Sequence, residues 1–152
     1  ECRQMLRHEQ LVTQTVCNCA LRIVEHRHPG HSRRQGIDAD FDHKTYAHTG
    51  INTLGVTDEN WIKGDRGQMR SRAEWEDEEW SAGARLATHI GADYWSVEYR
   101  LPFDDERFPR PRPGTVWGFN MVRVFRGEEY SQWVRTYRGG HSPDDFGVLF
   151  FN

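Results

Sequence analysis

Tyr94-Trp95-Ser96-Val97-Glu98-Tyr99-Arg100-Leu101 alternates large apolar residues with small or charged ones. That is the period of a strand with one buried face and one wet face. Residues 84–90 lead into it through Gly91-Ala92-Asp93, so the two runs read as a hairpin, which Pro102 ends. The same period recurs upstream. In residues 36–42, Ile37, Ala39 and Phe41 oppose Asp38, Asp40 and Asp42, and in residues 11–25 Leu11, Thr13, Cys17, Cys19, Leu21 and Ile23 share a face. Residues 45–54 form a further strand with Gly50 as its weak point. Downstream, residues 115–125 are apolar enough to be buried on both faces, and shorter strands follow over 130–137 and 146–151. The run Phe108-Pro109-Arg110-Pro111-Arg112-Pro113-Gly114 is a loop, because each proline removes a donor and restricts its predecessor. Residues 56–81 read as irregular and polar, with the acidic run 74–79 as a helical turn or solvated loop. Many short strands without a long amphipathic helix or a repeat predict an all-β, antiparallel, jelly-roll-like sandwich spanning residues 1–152 as one domain.

Composition narrows the function classes. A chain of 152 residues suits a single core, and six tryptophans and eight phenylalanines compensate for an apolar content of 36%. The formal charge of −3 argues against nucleic acid as a partner, and the pair Arg33-Arg34 is too small a cluster to reverse that. No apolar run is long enough to span a bilayer, and no signal peptide is visible. The first residue is Glu1 rather than methionine, which points to processing or to excision from a longer protein. Cys17 and Cys19 would point to one strand face, an awkward geometry for a mutual disulfide. A bridge from Cys2 to either, or three buried thiols, both remain open.

Three segments carry a resemblance. Tyr94–Phe103 (YWSVEYRLPF) is similar to a W-x-V-E-x-x-I-P-F strand, and Pro113–Arg126 (PGTVWGFNMVRVFR) to P-G-x-x-W-G-F-N-x-x-R. Ser131-Gln132-Trp133, followed by His141-Ser142-Pro143-Asp144-Asp145-Phe146-Gly147, is similar to S-x-W and H-x-P-x-x-F-G. In this order the segments resemble the family 9 carbohydrate-binding modules and their DOMON-like relatives. Residues 37–42 and 46–55 resemble the family's acidic strand and its N-x-x-G turn more weakly. The resemblance implies a β-sandwich that holds a glycan without catalysing a reaction. It also implies an extracellular or cell-surface setting, attached to a larger parent enzyme or a surface assembly. Characterised members clasp a sugar end between two tryptophans. The corresponding regions here read His31-Ser32-Arg33-Arg34 and Arg138-Gly139-Gly140-His141, with no tryptophan.

Sugar binding needs a flat aromatic face plus planar polar groups that bond hydroxyls in pairs. The last loop offers Tyr137, Arg138 and His141, while Asp38 matches the family's binding carboxylate and Trp61 stands in a polar stretch as a stacking platform. Each has a plain alternative: Tyr137 or Trp61 packed onto the sandwich, Asp38 a solvated strand residue, Arg138 paired with a surface acid. Trp95, Trp117 and Trp133 lie on motif strands and read as core. His26, His28 and His31 carry a metal-like spacing that solvated loops share. Asp38, Asp40 and Asp42 begin like a calcium loop. His43, however, stands where that loop needs glycine and Thr49 where it needs the closing glutamate, and one strand face would hold the carboxylates too far apart. Structural calcium elsewhere is what the resemblance implies. No nucleophile–base arrangement or phosphate loop supports an enzyme. Two further readings stand: a structural or assembly domain that has lost the sugar site, and a haem-binding DOMON-like domain using Met69, Met121 or His89.

Overall fold

The computed structural model describes residues 20–26, 31–64, 70–103, 106–126, 129–137 and 139–152. Among them run β1 (Ala20–His26), β2 (His31–Asp38), β3 (Tyr46–Asn52), β4 (Thr57–Ile62), the one-turn helix α1 (Arg72–Trp75), β5 (Glu76–Asp77), β6 (Arg85–Ile90), β7 (Tyr94–Arg100), β8 (Val116–Phe125), β9 (Glu129–Gln132) and β10 (Gly147–Phe150). A three-stranded sheet has the order β1-β7-β6, and a seven-stranded sheet the order β10-β8-β2-β3-β4-β5 with β9 also on β8. Every pairing is antiparallel. β10 and β9 share one edge of β8, opposite residues 116–119 and 122–125 respectively. The expected antiparallel all-β sandwich is the architecture found.

The core lies between the sheets. Trp95, Val97 and Tyr99 of β7 meet Ile37, Ala47, Ile51, Trp117, Phe119 and Met121 from the larger sheet. Trp80 and Phe108, both from loops, close one side as a stacked pair with centroids 5.8 Å apart. The hairpin 85–100 forms as its alternation predicts, closed by the Gly91 N–H donating to the Tyr94 carbonyl at 2.8 Å. β8 is buried on both faces, as its apolar run requires. Trp95 and Trp117 are core, and Trp133 packs against it.

Three sequence expectations are corrected. The strand read over 36–42 starts at His31 and ends at Asp38, so Ala39 and Phe41 do not continue its face. The Asp38 carboxylate accepts the backbone N–H groups of Asp42 and His43, and this folds the chain into a turn with Phe41 and His43 in the left-handed region. The polar stretch after Val56 contains β4, whose Asp58, Glu59 and Asn60 are poor strand formers held in place by pairing with β3. The strand read over 130–137 stops at Gln132. The side chains of Gln132 and Asn120 bind the segment that follows: Gln132 Oε1 accepts from Thr136, and Asn120 bonds both the N–H and the carbonyl of Val134. The three cysteines, Met69, His28 and Arg138 lie outside the described residues, as does the face read for residues 11–19.

The other face of the seven-stranded sheet carries a second cluster, Tyr46, Ile62, Trp75 and Phe146. The Phe146 ring lies directly over Gly36: a Cβ there would sit 2.5 Å from Cζ. Buried against Tyr46 at 5.3 Å, this ring has little room to yield. Gly36→Ala is therefore expected to destabilise the fold by about 1–3 kcal/mol. Phe146→Leu in the same chain should recover part of the loss, both read by chemical denaturation.

Candidate functional site

Strand alternation builds the site. On β3, Ala47, Thr49 and Ile51 face the inter-sheet core, so Tyr46, His48 and Gly50 face the outer side of the larger sheet. On β2 the same rule splits the two adjacent arginines. Arg33 turns inward, buried, with its guanidinium 5.9 Å from the Trp95 ring centroid, while Arg34 turns outward and is exposed. Register places Asn120, Gly36, His48 and Asn60 in one row across four strands, and Val122, Arg34, Gly50 and Asp58 in the next.

Two adjoining cavities, of about 420 and 270 Å³, open on this face and share Arg34, His48 and His141. The larger is walled by residues 70–72 together with Trp75, Glu76 and Asp58, the smaller by Val122, Val124, Tyr130, Gln132, Gly139 and Gly140. His141 enters from the last loop. Its Nδ1 lies 2.6 Å from the Tyr46 hydroxyl, and its ring is 5.0 Å from both the His48 and Trp75 rings. The loop that delivers it is pinned by Asn120 and Gln132, and by Asp145, which accepts the Tyr137 N–H at 2.9 Å.

His48 is 7% exposed, and among the described residues its Nδ1 has no hydrogen-bond partner. A buried polar atom in that state costs on the order of 1–3 kcal/mol unless something supplies a partner. Burial, then the neighbouring His141 and Arg34, lower its pKa to about 4, so the imidazole is neutral near pH 7. Burial, helped by the Glu76 carboxylate, pushes the Tyr46 phenol well above its ordinary value and keeps it neutral too. Glu76 is itself neutralised by Arg72 at 2.7 Å. The cleft thus presents neutral hydrogen-bonding groups, aromatic walls and guanidiniums, a chemistry suited to polar ligands rather than apolar ones.

Of the residues singled out from sequence, His141 lies in this cleft. Tyr137 is 79% exposed, two residues before Gly139, with the Arg135 guanidinium 5.4 Å from its ring centroid. Asp38 is fully buried and holds the turn after β2. Trp61 is half-buried on the opposite face of the sheet, against Trp80, Phe108 and the Arg107 guanidinium, so its ring is not an open platform. Sequence reading missed Arg34, His48, Asp58 and Trp75. Tyr46-x-His48-x-Gly50, opposite an apolar face, is the signal that marks a second functional side of β3.

No protein-family model and no curated protein matches the chain. Solved structures do. A family 9 carbohydrate-binding module from Caldicellulosiruptor kristjanssonii in complex with cellotriose matches with a TM-score of 0.57 at 15% identity, over 88% of this chain and 69% of that one. A module of the same family and organism in complex with glucose gives 0.57 at 13%, over 88% and 71%. A protein from Bacteroides uniformis assigned as carbohydrate-binding gives 0.58 at 13%, over 88% and 72%. The fold is that of the family 9 carbohydrate-binding modules. At these identities the likeness is one of fold, and the site rests on this chain's own residues.

The family 9 resemblance implies structural calcium, and the turn after β2 fits it. Asp38, Asp40 and Asp42 each place one carboxylate oxygen within 4.8 Å of the others, a span that a cation with ligands at about 2.3–2.6 Å can bridge. The turn brings them together, which corrects the expectation that one strand face would keep them apart. Asp38 is raised to about 6 by its burial, by a hydrogen bond with Asp40 and by the charges of Asp42 and Asp40, a crowding that a cation relieves. The haem reading finds no such support: Met121 is packed in the core, His89 is exposed on β6, and neither lines the cleft.

His48 generates a pH prediction. Its folded pKa, about 4, is below its unfolded value of 6.5. The unfolded chain binds the extra proton between those values, so the neutral imidazole's contribution is whole above pH 6.5 and lost as pH falls toward 4. Asp38, raised from 3.8 to about 6, tilts the same window the other way. The difference between wild type and His48→Gln isolates the histidine. It should move against the wild type by on the order of 2–3 kcal/mol between pH 7 and pH 4, read by denaturation at each pH.

Proposed function

We propose that the chain is a non-catalytic carbohydrate-binding module that holds a saccharide in the cleft on the outer face of the seven-stranded sheet. The observation that carries this is the unpartnered Nδ1 of buried His48 in a cavity that also presents His141, Trp75 and Arg34. A sugar hydroxyl supplies the missing partner, and Trp75, Tyr130 and Val122 offer surfaces for the sugar's C–H faces. Solved modules of the same fold hold cellotriose and glucose. His141 is the residue from the last loop that contacts the ligand, with the exposed Tyr137 nearby in the same loop and Asp38 supporting the turn after β2. A glycan partner implies work outside the cell or at its surface, as one module of a larger enzyme or a surface assembly. No helix among the described residues is long and apolar enough to cross a membrane.

The assembly reading draws on Val148 and Phe150, which are 52% and 56% exposed on the edge strand β10. A glycan array followed by calorimetry separates the two. Saturable binding by a monomer, weakened at least tenfold in a His141→Ala chain that still unfolds cooperatively, supports the module. A silent array with concentration-dependent self-association supports assembly.

We also propose that calcium occupies the carboxylates of Asp38, Asp40 and Asp42 as a structural ion. Millimolar calcium should raise the unfolding temperature by several degrees relative to chelator. Asp40→Asn, which removes an exposed ligand without touching the turn's backbone bonds, should abolish most of that rise.

A further inference from the structure

The lining charges of the cleft are unbalanced. Three guanidiniums, from Arg34, Arg70 and Arg72, line the larger cavity against two carboxylates, from Asp58 and Glu76. Glu76 is spent on Arg72, which also meets Glu78 at 2.7 Å. Asp58 accepts from the Asn60 amide. Among the described residues, no carboxylate lines the smaller cavity, where Arg34 stands beside the hydrophobic Val122 and Val124. Arg34 faces bare Gly50 on one neighbouring strand and Val122 on the other, so neither offers its guanidinium a partner. An exposed guanidinium and a neutral imidazole nitrogen, both without a partner among the described residues and set at the junction of two cavities, form a built anion-and-hydroxyl pair.

We propose that the cleft recognises a saccharide carrying a carboxylate, with the Arg34 guanidinium clasping the carboxylate on the side of the smaller cavity and His48 Nδ1 bonding a ring hydroxyl. The planar fork of arginine matches a carboxylate through two parallel hydrogen bonds, which a neutral hydroxymethyl group cannot reproduce. No carboxylate among the described residues lines the smaller cavity, so none of them repels such a sugar there. This rests on the saccharide reading above and narrows it to acidic sugars.

The test is titration calorimetry of the whole chain with four probes: a neutral cello-oligosaccharide, an oligogalacturonate, its methyl ester, and a sulfated oligosaccharide. Wild type and Arg34→Gln are compared, with thermal unfolding confirming that both fold. Arg34 is exposed, so its replacement spares the packing. The expected result is that wild type binds the free acid at least tenfold more tightly than the ester, and that Arg34→Gln brings acid and ester to similar affinities, whereas a preference that survives in Arg34→Gln overturns the role of Arg34. Equal affinity for acid and ester, or a preference for the neutral oligosaccharide, overturns the acidic assignment and leaves the saccharide reading intact. A preference for the sulfated probe over the uronate overturns the carboxylate. Silence toward all four probes overturns the saccharide reading itself.

Discussion

The ring of Phe146 resting on the bare backbone of Gly36 ties the end of the chain to the middle of the larger sheet. β2 is bracketed by β8 and β3, so whatever lies on it lies at the centre of the outer face. The ring leaves no space for a side chain at position 36. It also packs on Tyr46, whose hydroxyl meets His141. The last loop is thereby held across the sheet, and the cleft exists because that loop covers part of the face and leaves the rest open. The His43 ring, 3.4 Å from the Pro143 carbonyl, ties the turn after β2 to the same loop.

Both faces of one sheet are thus in use for different purposes. The inner face is largely apolar and packs against the small sheet, and burial there supplies most of the stability. The outer face carries a smaller cluster of Tyr46, Ile62, Trp75 and Phe146, large enough to anchor α1 and the last loop but not to fill the surface. Polar groups in the gap are either satisfied within the fold, as Asn120 and Gln132 are, or left facing the cleft, as His48 and Arg34 are. That division separates scaffold from site without any appeal to motif.

Legibility in the sequence followed the same division. The hairpin 85–100 and β8 were readable because their alternation or apolar run comes from burial against the core, a strong and periodic constraint. β4 was not, since its residues have little strand preference and its existence depends on pairing with β3. Periodicity reads the turn after Asp38 as strand, because it sees Ile37, Ala39 and Phe41 but not the Asp38 carboxylate capturing two backbone N–H groups. The motif residues that carried the resemblance, Trp117, Asn120, Phe146 and Gly147 among them, are chiefly scaffold, so they announced the fold. Among them His141 enters the cleft from the last loop, while Asn120, Val122, Val124 and Gln132 line the floor of its smaller cavity. Arg34, His48 and Trp75 come from three separate elements whose convergence only the register reveals.

The position of Trp75 bears on the proposed saccharide site. The two regions that would supply a pair of clasping tryptophans contain none, a departure that leaves both a sugar-binding module and a domain that has lost the sugar site open on sequence alone. In the fold, however, an indole reaches the cleft from α1, edge-on to His141, and the stretch around Arg34 contributes a guanidinium instead of a ring. Replacing one aromatic wall by a cation exchanges C–H stacking for a directional, charge-assisted contact. On the saccharide reading proposed above, a cleft so built would select its ligand by charge and hydroxyl geometry more than by the flatness of the sugar.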